Sequence, residues 1–159
     1  MCYNISPHLT YKEVVKSHTA IRKGIVNAPN KHQLENIRAW ANAIFEPTRN
    51  HFEVPIGVSS VFRCKKLNAI IGGAPTSQHT AEGDCAAGDL DADIYGHITN
   101  REIFDFIREN LEFDQLIWEF GTDNEPDWVH VSFCRNGKNR KEILRSIKVN
   151  GKVIYQKMS

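Results

Sequence analysis

Trp128-Val129-His130-Val131-Ser132-Phe133-Cys134 is the stretch on which the reading of the fold turns. Trp128, His130 and Ser132 share one face of an extended chain, while Val129, Val131 and Phe133 share the other. Such alternation predicts a strand with one apolar face against a core. A histidine set in that strand is either a core residue bonded to a carbonyl or a side chain committed to a ligand. Upstream, residues 115–120 (QLIWEF) read as a second strand, and residues 54–62 place Ile56, Val58 and Phe62 at alternating positions. Downstream, Asn150-Gly151 lies between Ile147, Val149, Val153 and Tyr155. That is a two-residue hairpin signal, because both central residues tolerate positive φ.

Helical signals precede most of these strands. Thr10-Tyr11-Lys12-Glu13 reads as a capping box opening a short helix through about Ser17. Asn30 with Gln33 caps a longer helix whose apolar stripe is Leu34, Ile37, Ala41, Ile44 and Phe45, and Pro47 stands where it should stop. Thr99 with Glu102 starts a third, burying Ile103, Phe106, Ile107 and Leu111. Helices first and antiparallel strands later predict an α+β fold, an antiparallel sheet with helices packed on one side.

The 159 residues fit a single domain over 1–159, without repeats or long linkers. Twenty basic against 19 acidic side chains leave a net charge of +1, which argues against a nucleic-acid partner. The basic run Arg135 to Lys141 is read as a solvated turn between strands. No apolar run approaches the roughly 18 residues of a membrane span. The opening MCYNISPHLTYKE lacks the basic and apolar regions of an export signal. Cys2, Cys64, Cys85 and Cys134 lie far apart without a CxxC pair, so free thiols are expected and a cysteine zinc site is not.

His8, His18, His32, His51 and His97 sit in polar or turn-like sequence and read as surface or structural residues. His79 differs: it ends a flexible loop, Gly72-Gly73-Ala74-Pro75-Thr76-Ser77-Gln78-His79, and an acidic stretch from Glu82 to Asp93 follows. Two imidazoles, one carboxylate and an open fourth position form a common catalytic zinc set. Such a site needs a nearby carboxylate for proton transfer and gains from a cation at the developing oxyanion. Asp127, Glu125, Asp123 and Glu119 are candidates for the first role and Arg63 for the second.

Ser60-Val61-Phe62-Arg63, Leu67-Asn68, Ile71-Gly72-Gly73-Ala74 and Ser77-Gln78-His79, with the later FDQLIWEF and WVHVS runs, resemble the zinc D-Ala-D-Ala carboxypeptidase family. That family takes in L,D- and D,D-peptidases of the bacterial wall and several phage endolysins. The resemblance implies a hedgehog/D-Ala-D-Ala-peptidase-like fold, and Zn2+ held by His79, an aspartate and His130. It implies that Arg63 binds a scissile carbonyl or peptide carboxylate, and that Ser77 sits near the first ligand and helps position substrate; Trp128, which shares a strand face with His130, is a further candidate for substrate contact. The family's catalytic carboxylate, three residues before the last histidine, maps to Asp127. Strand parity turns that position away from His130 unless the chain bends at Asn124-Glu125-Pro126, and Glu119 is the alternative base.

The family pattern S-x-H-x-x-G-x-A-x-D puts its aspartate seven places after histidine, where this chain has Ala86. Aligned from the other end, Ala87-Gly88-Asp89 supplies A-x-D after about three extra residues, with Asp91 and Asp84 as alternatives; loop insertions of that size cost little. The implied activity is hydrolysis of an amide bond in peptidoglycan stem peptides by a carboxypeptidase or endopeptidase, with phage lysis as one setting. The alternative is a catalytically inactive, zinc-containing wall-binding or virion module. A monomer is expected, with a peptidoglycan peptide as its partner. Lack of an export signal suits a cytoplasmic protein that meets the wall after membrane disruption, or a virion component.

Overall fold

Residues 3–159 are described by the computed structural model of the chain; Cys2, expected as a free thiol, lies outside them. A small antiparallel hairpin, β1 (Asn4–Ser6) and β2 (Leu9–Thr10), leads into α1 (Tyr11–Val15). The capping box read from the sequence is present: Thr10 Oγ1 accepts from the Glu13 backbone N–H, and the Glu13 carboxylate accepts from the Thr10 N–H at 2.8 Å. α2 (His18–Lys23) stops at Gly24, whose φ of 62° is the left-handed cap that glycine favours.

α3 (Lys31–Trp40) starts at the Asn30–Gln33 box, as expected. Pro47 does not end the helix. The chain passes through one π-helical turn, Ala41–Phe45, into α4 (Glu46–Phe52). In a regular helix proline removes a hydrogen bond and clashes with a preceding carbonyl. The wider π turn loosens the ladder at that point, and the Thr48 hydroxyl donates to the Ile44 carbonyl at 2.7 Å. The stop comes instead at Glu53, with φ 54°.

The rest of the chain is built on β3 (Gly57–Ser60), α5 (Lys65–Ile70), β4 (Cys85–Asp91), α6 (Asn100–Asn110), β5 (Gln115–Glu119), β6 (Trp128–Cys134), β7 (Glu142–Val149) and β8 (Lys152–Lys157). The last two form the expected hairpin, with Asn150 at φ 50° and Gly151 at φ 76°. Six strands make one sheet in the order β3-β4-β6-β5-β7-β8. The α+β class holds, with one refinement: β5 and β7 run parallel, and every other neighbouring pair is antiparallel.

β4 is the element least expected from the sequence. Its Ala-Ala-Gly-Asp composition has few of the β-branched or aromatic residues that strands favour. It is nonetheless buried and paired on both edges, with Gly88 opposite Val131 and Asp89 opposite His130. Trp40 lies flat against it, so a Cβ at Gly88 would come within 2.2 Å of the indole, whose Nε1 donates to the Val131 carbonyl at 3.0 Å. Glycine here is a packing requirement.

Helices cover one sheet face. Ile37, Trp40, Ile44, Phe45, Ile103, Phe104 and Ile107 pack against Ala86, Leu90, Leu116, Trp118, Val129 and Val131. Phe104 fills a core position that the sequence reading left out, whereas Phe106 is half-buried and stacks on His51. The expectation of free thiols is corrected at two positions. Cys85 and Cys134 are register partners on β4 and β6, with Cα atoms 4.0 Å apart, and form a disulfide; Cys64 is free. Their separation of 49 residues hid a pairing that only the strand register creates. Among the described residues, no helix is long and apolar enough to cross a membrane.

Candidate metal centre

The sheet face turned away from the helices carries Asp89 on β4, His130 on β6, and Ile117 and Glu119 on β5, all lining one cleft of about 630 Å³. His79 enters from the turn before β4. That loop reads as flexible, yet it is tied on several sides. The Gln78 amide donates to Asp114 at 2.7 Å, Gln33 to the Thr80 carbonyl at 3.1 Å, Asn36 to the Ala81 carbonyl at 2.9 Å, and Asn68 to the Ala74 carbonyl at 2.8 Å.

Two contacts from the β3 end grip His79 itself. The Arg63 N–H donates to the His79 carbonyl at 2.9 Å, and His79 Nδ1 lies 2.8 Å from the Val61 carbonyl. A carbonyl can only accept, so Nδ1 carries the proton and Nε2 presents its lone pair to the cleft. There it stands 3.2 Å from His130 Nδ1 and 3.2 Å from Asp89 Oδ1, while His130 Nδ1 is 3.0 Å from the same oxygen.

This triangle fits a zinc ion. Three donors about 2.0–2.1 Å from one tetrahedral ion stand about 3.3 Å apart, close to the spacings observed. The hydrogen-bond inventory points the same way. With the His79 proton on Nδ1, its Nε2 and the Asp89 oxygen are both acceptors, and a single His130 proton can satisfy only one of them. A cation at the centre satisfies all three. His79, Asp89 and His130 are the group of possible metal ligands among the described residues. Neither alternative aspartate joins it. Asp84 is exposed and bonds Asn136 at 3.2 Å; the Asp91 carboxylate accepts from the Asp93 N–H at 3.0 Å.

The electrostatics agree with a charge-concentrating site. Burial alone would raise the Asp89 carboxyl, but the two histidines set against it hold it well below the usual carboxylate range. Burial pushes the His79 imidazole down, with Asp89 opposing. Burial pushes the Glu119 carboxyl up; the hydrogen bond from Ser146 and the charges of His130 and Arg63 oppose it, and Asp89 adds to it. Arg63 lies in the cleft with a guanidinium lowered by burial, and its Nε is buried without a hydrogen-bond partner. An unpaired buried donor of this kind is costly unless a ligand completes it.

The remaining site residues named from the sequence divide. Ser77 and Trp128 line the cleft, and Ser77 Oγ accepts from the His79 N–H at 3.4 Å. Asp127 is exposed and outside the cleft lining, its N–H donating to the Glu119 carbonyl at 2.9 Å. The bend at 124–126 does not turn its side chain inward. Glu125 accepts from the Asn100 N–H at 2.7 Å at the start of α6, and Asp123 pairs with Arg145. Of the four candidate bases only Glu119, 8% exposed, faces the site. Leu144, Val153 and Tyr155 of the C-terminal hairpin also line the cleft and were not anticipated. Their alternation is visible in the sequence, but not the parallel β5–β7 pairing that carries them there.

Comparison with curated proteins finds no match. A family profile described as Peptidase M15 matches residues 7–132, a span that holds His79, Asp89, His130, Arg63 and Glu119. With most of its length matched and a metal-ready triangle on the open face of its sheet, the chain belongs to the peptidase M15 family of zinc-dependent metallopeptidases.

Proposed function

We propose that this protein hydrolyses an amide bond in peptidoglycan stem peptides, with zinc held by His79 Nε2, Asp89 Oδ1 and His130 Nδ1 and with Glu119 as the proton-transferring carboxylate. The observation that carries this reading is the triangle of donors 3.0–3.2 Å apart, opening on a cleft that also holds a buried carboxyl and a half-buried guanidinium. A zinc ion in that triangle supplies Lewis acidity, lowering the pKa of the attacking water and polarising the scissile carbonyl.

The chain's own groups supply the rest. Glu119 takes a proton from water as the new C–O bond forms, and returns it to the amide nitrogen as the C–N bond breaks. Its raised pKa suits the return step, because the protonated form is held more readily than by an ordinary glutamate. Arg63, which lines the cleft, offers its guanidinium to the carbonyl oxygen or a peptide carboxylate. Ser77 and Trp128 border the bound peptide.

Zinc content of purified protein, with muropeptide products identified by mass spectrometry, tests the proposal. Stoichiometric zinc, lost in His130→Ala, together with amide cleavage supports it. Glu119→Gln is expected to keep zinc and lose on the order of 100-fold or more in kcat, while Asp127→Asn keeps both. A protein that binds zinc and wall peptides without turnover is instead the inactive wall-binding or virion module. Product masses separate a carboxypeptidase, which removes one terminal residue, from an endopeptidase, which opens cross-links, and a lysis role requires release of wall fragments.

A further inference from the structure

The C-terminal hairpin lies beyond the segment matched by the family, yet it forms one wall of the cleft. Glu119 is the register partner of Ser146 across β5–β7, and Ser146 is the partner of Tyr155 across β7–β8. The three therefore stand in one row on one sheet face. Two strand spacings, about 10 Å, separate the outer backbones. The residue between them is a small, fully buried serine whose hydroxyl is committed to Glu119, so nothing bulky divides the tyrosine from the carboxylate. Val153 and Leu144 flank Tyr155 along the same wall. As a whole residue Tyr155 is 54% exposed. Arg140, the cation on this side, is held by two bonds to Asp114 at 2.9 and 2.8 Å.

We infer that Tyr155 contacts the substrate, its phenol hydroxyl donating a hydrogen bond to the peptide group being cleaved from the wall opposite β3–β4. The inference rests on the peptidase reading above and adds to it a donor from outside the matched segment. The phenol is raised by burial first, and then by the charges of Glu119 and Asp89, with Arg63 opposing. It therefore lies within the field of the site and stays protonated as a donor. Arg63 and Tyr155 would grip the substrate from two edges of the sheet, and Val153 with Leu144 would cover an apolar part of the peptide.

Tyr155→Phe, compared with wild type in zinc-loaded form, separates the hydroxyl from the ring. Zinc stoichiometry is expected to stay the same. kcat on the muropeptides that the wild type cleaves should fall about 10- to 100-fold with KM little changed, at or below the lower end of the loss when one oxyanion donor is removed. Calorimetric affinity for a phosphinate analogue of D-Ala-D-Ala should fall by a similar factor. An active wild type whose Tyr155→Phe variant keeps kcat and analogue affinity within twofold overturns this inference alone. A wild type that binds zinc but cleaves no amide bond in muropeptides overturns the peptidase reading and this inference with it.

Discussion

A single backbone carbonyl sets the chemistry of His79. By accepting the Nδ1 proton, Val61 leaves Nε2 as the lone pair facing Asp89 and His130, so the residue before Phe62 and Arg63 decides which nitrogen can bind a metal. Asp89 is the residue whose assignment the insertion after His79 left open, and of the three aspartates it is the one beside the histidines: its oxygen lies 3.0–3.2 Å from both imidazoles. Asp89→Asn keeps the size and removes the charge. It should lower zinc affinity by more than the about 10- to 100-fold typical of losing an outer partner of a ligand. Asp91→Asn should leave affinity unchanged, which competition with a chromophoric chelator measures directly. Equal loss in both variants would return the third ligand to the open set of aspartates. Glu119 and Asp127 make the complementary case, since both are acidic and close to His130 in the chain or the sheet. Only strand parity and the turn after Phe120 decide that Glu119 points into the cleft and Asp127 into solvent.

At the scale of elements, the site depends on how the start of β5 is fastened to the turn between β6 and β7. Asp114, just before β5, accepts from the Arg140 N–H at 3.1 Å and twice from its guanidinium, and also from Gln78 beside the candidate ligand His79. Burial alone would raise this carboxyl, but the bonds from Arg140 and Gln78 bring it below its ordinary value. A folded-state pKa below the unfolded one adds stability above about pH 3.9. That stability is lost as the pH falls through the folded value. Asp114→Asn should therefore be less stable near neutrality by about 1–2 kcal/mol, discounted for the exposed Arg140. It should converge on wild type in acid. Denaturant unfolding at a series of pH values reads the difference, and a constant gap down to low pH would remove Asp114 from this role. β4 teaches a related lesson about elements. Its weak strand composition is outweighed by pairing on both edges and by the Trp40 indole laid against Gly88.

Across the whole molecule, the Cys85–Cys134 bond closes a loop that holds β4, α6, β5 and β6. Reduction, or Cys134→Ser, is expected to lower stability by about 2–4 kcal/mol, whereas Cys64→Ser should stay within about 0.5 kcal/mol. A melting temperature indifferent to reductant would show that the bond does not form in solution. The same register that joins these cysteines explains what could be read in advance. Capping boxes at Thr10, Asn30 and Thr99, the alternation of residues 128–134 and the Asn150-Gly151 turn are local signals, each complete within a few residues, and all are present in the fold. His79, His130 and Arg63 were legible because their motifs are also short. The π turn that carries the helix past Pro47, the strand β4, the disulfide, the inward face of Glu119 and the wall bearing Tyr155 were not. Sequence by itself determined the starting points of α1, α3 and α6, the α+β class and the singling out of two histidines, because propensity and capping act over one or two turns of chain. Tertiary structure alone decided which aspartate stands between the histidines, which carboxylate faces the cleft and what forms its far wall, because each depends on which strands lie side by side and in what register, a choice made by burial of the whole sheet.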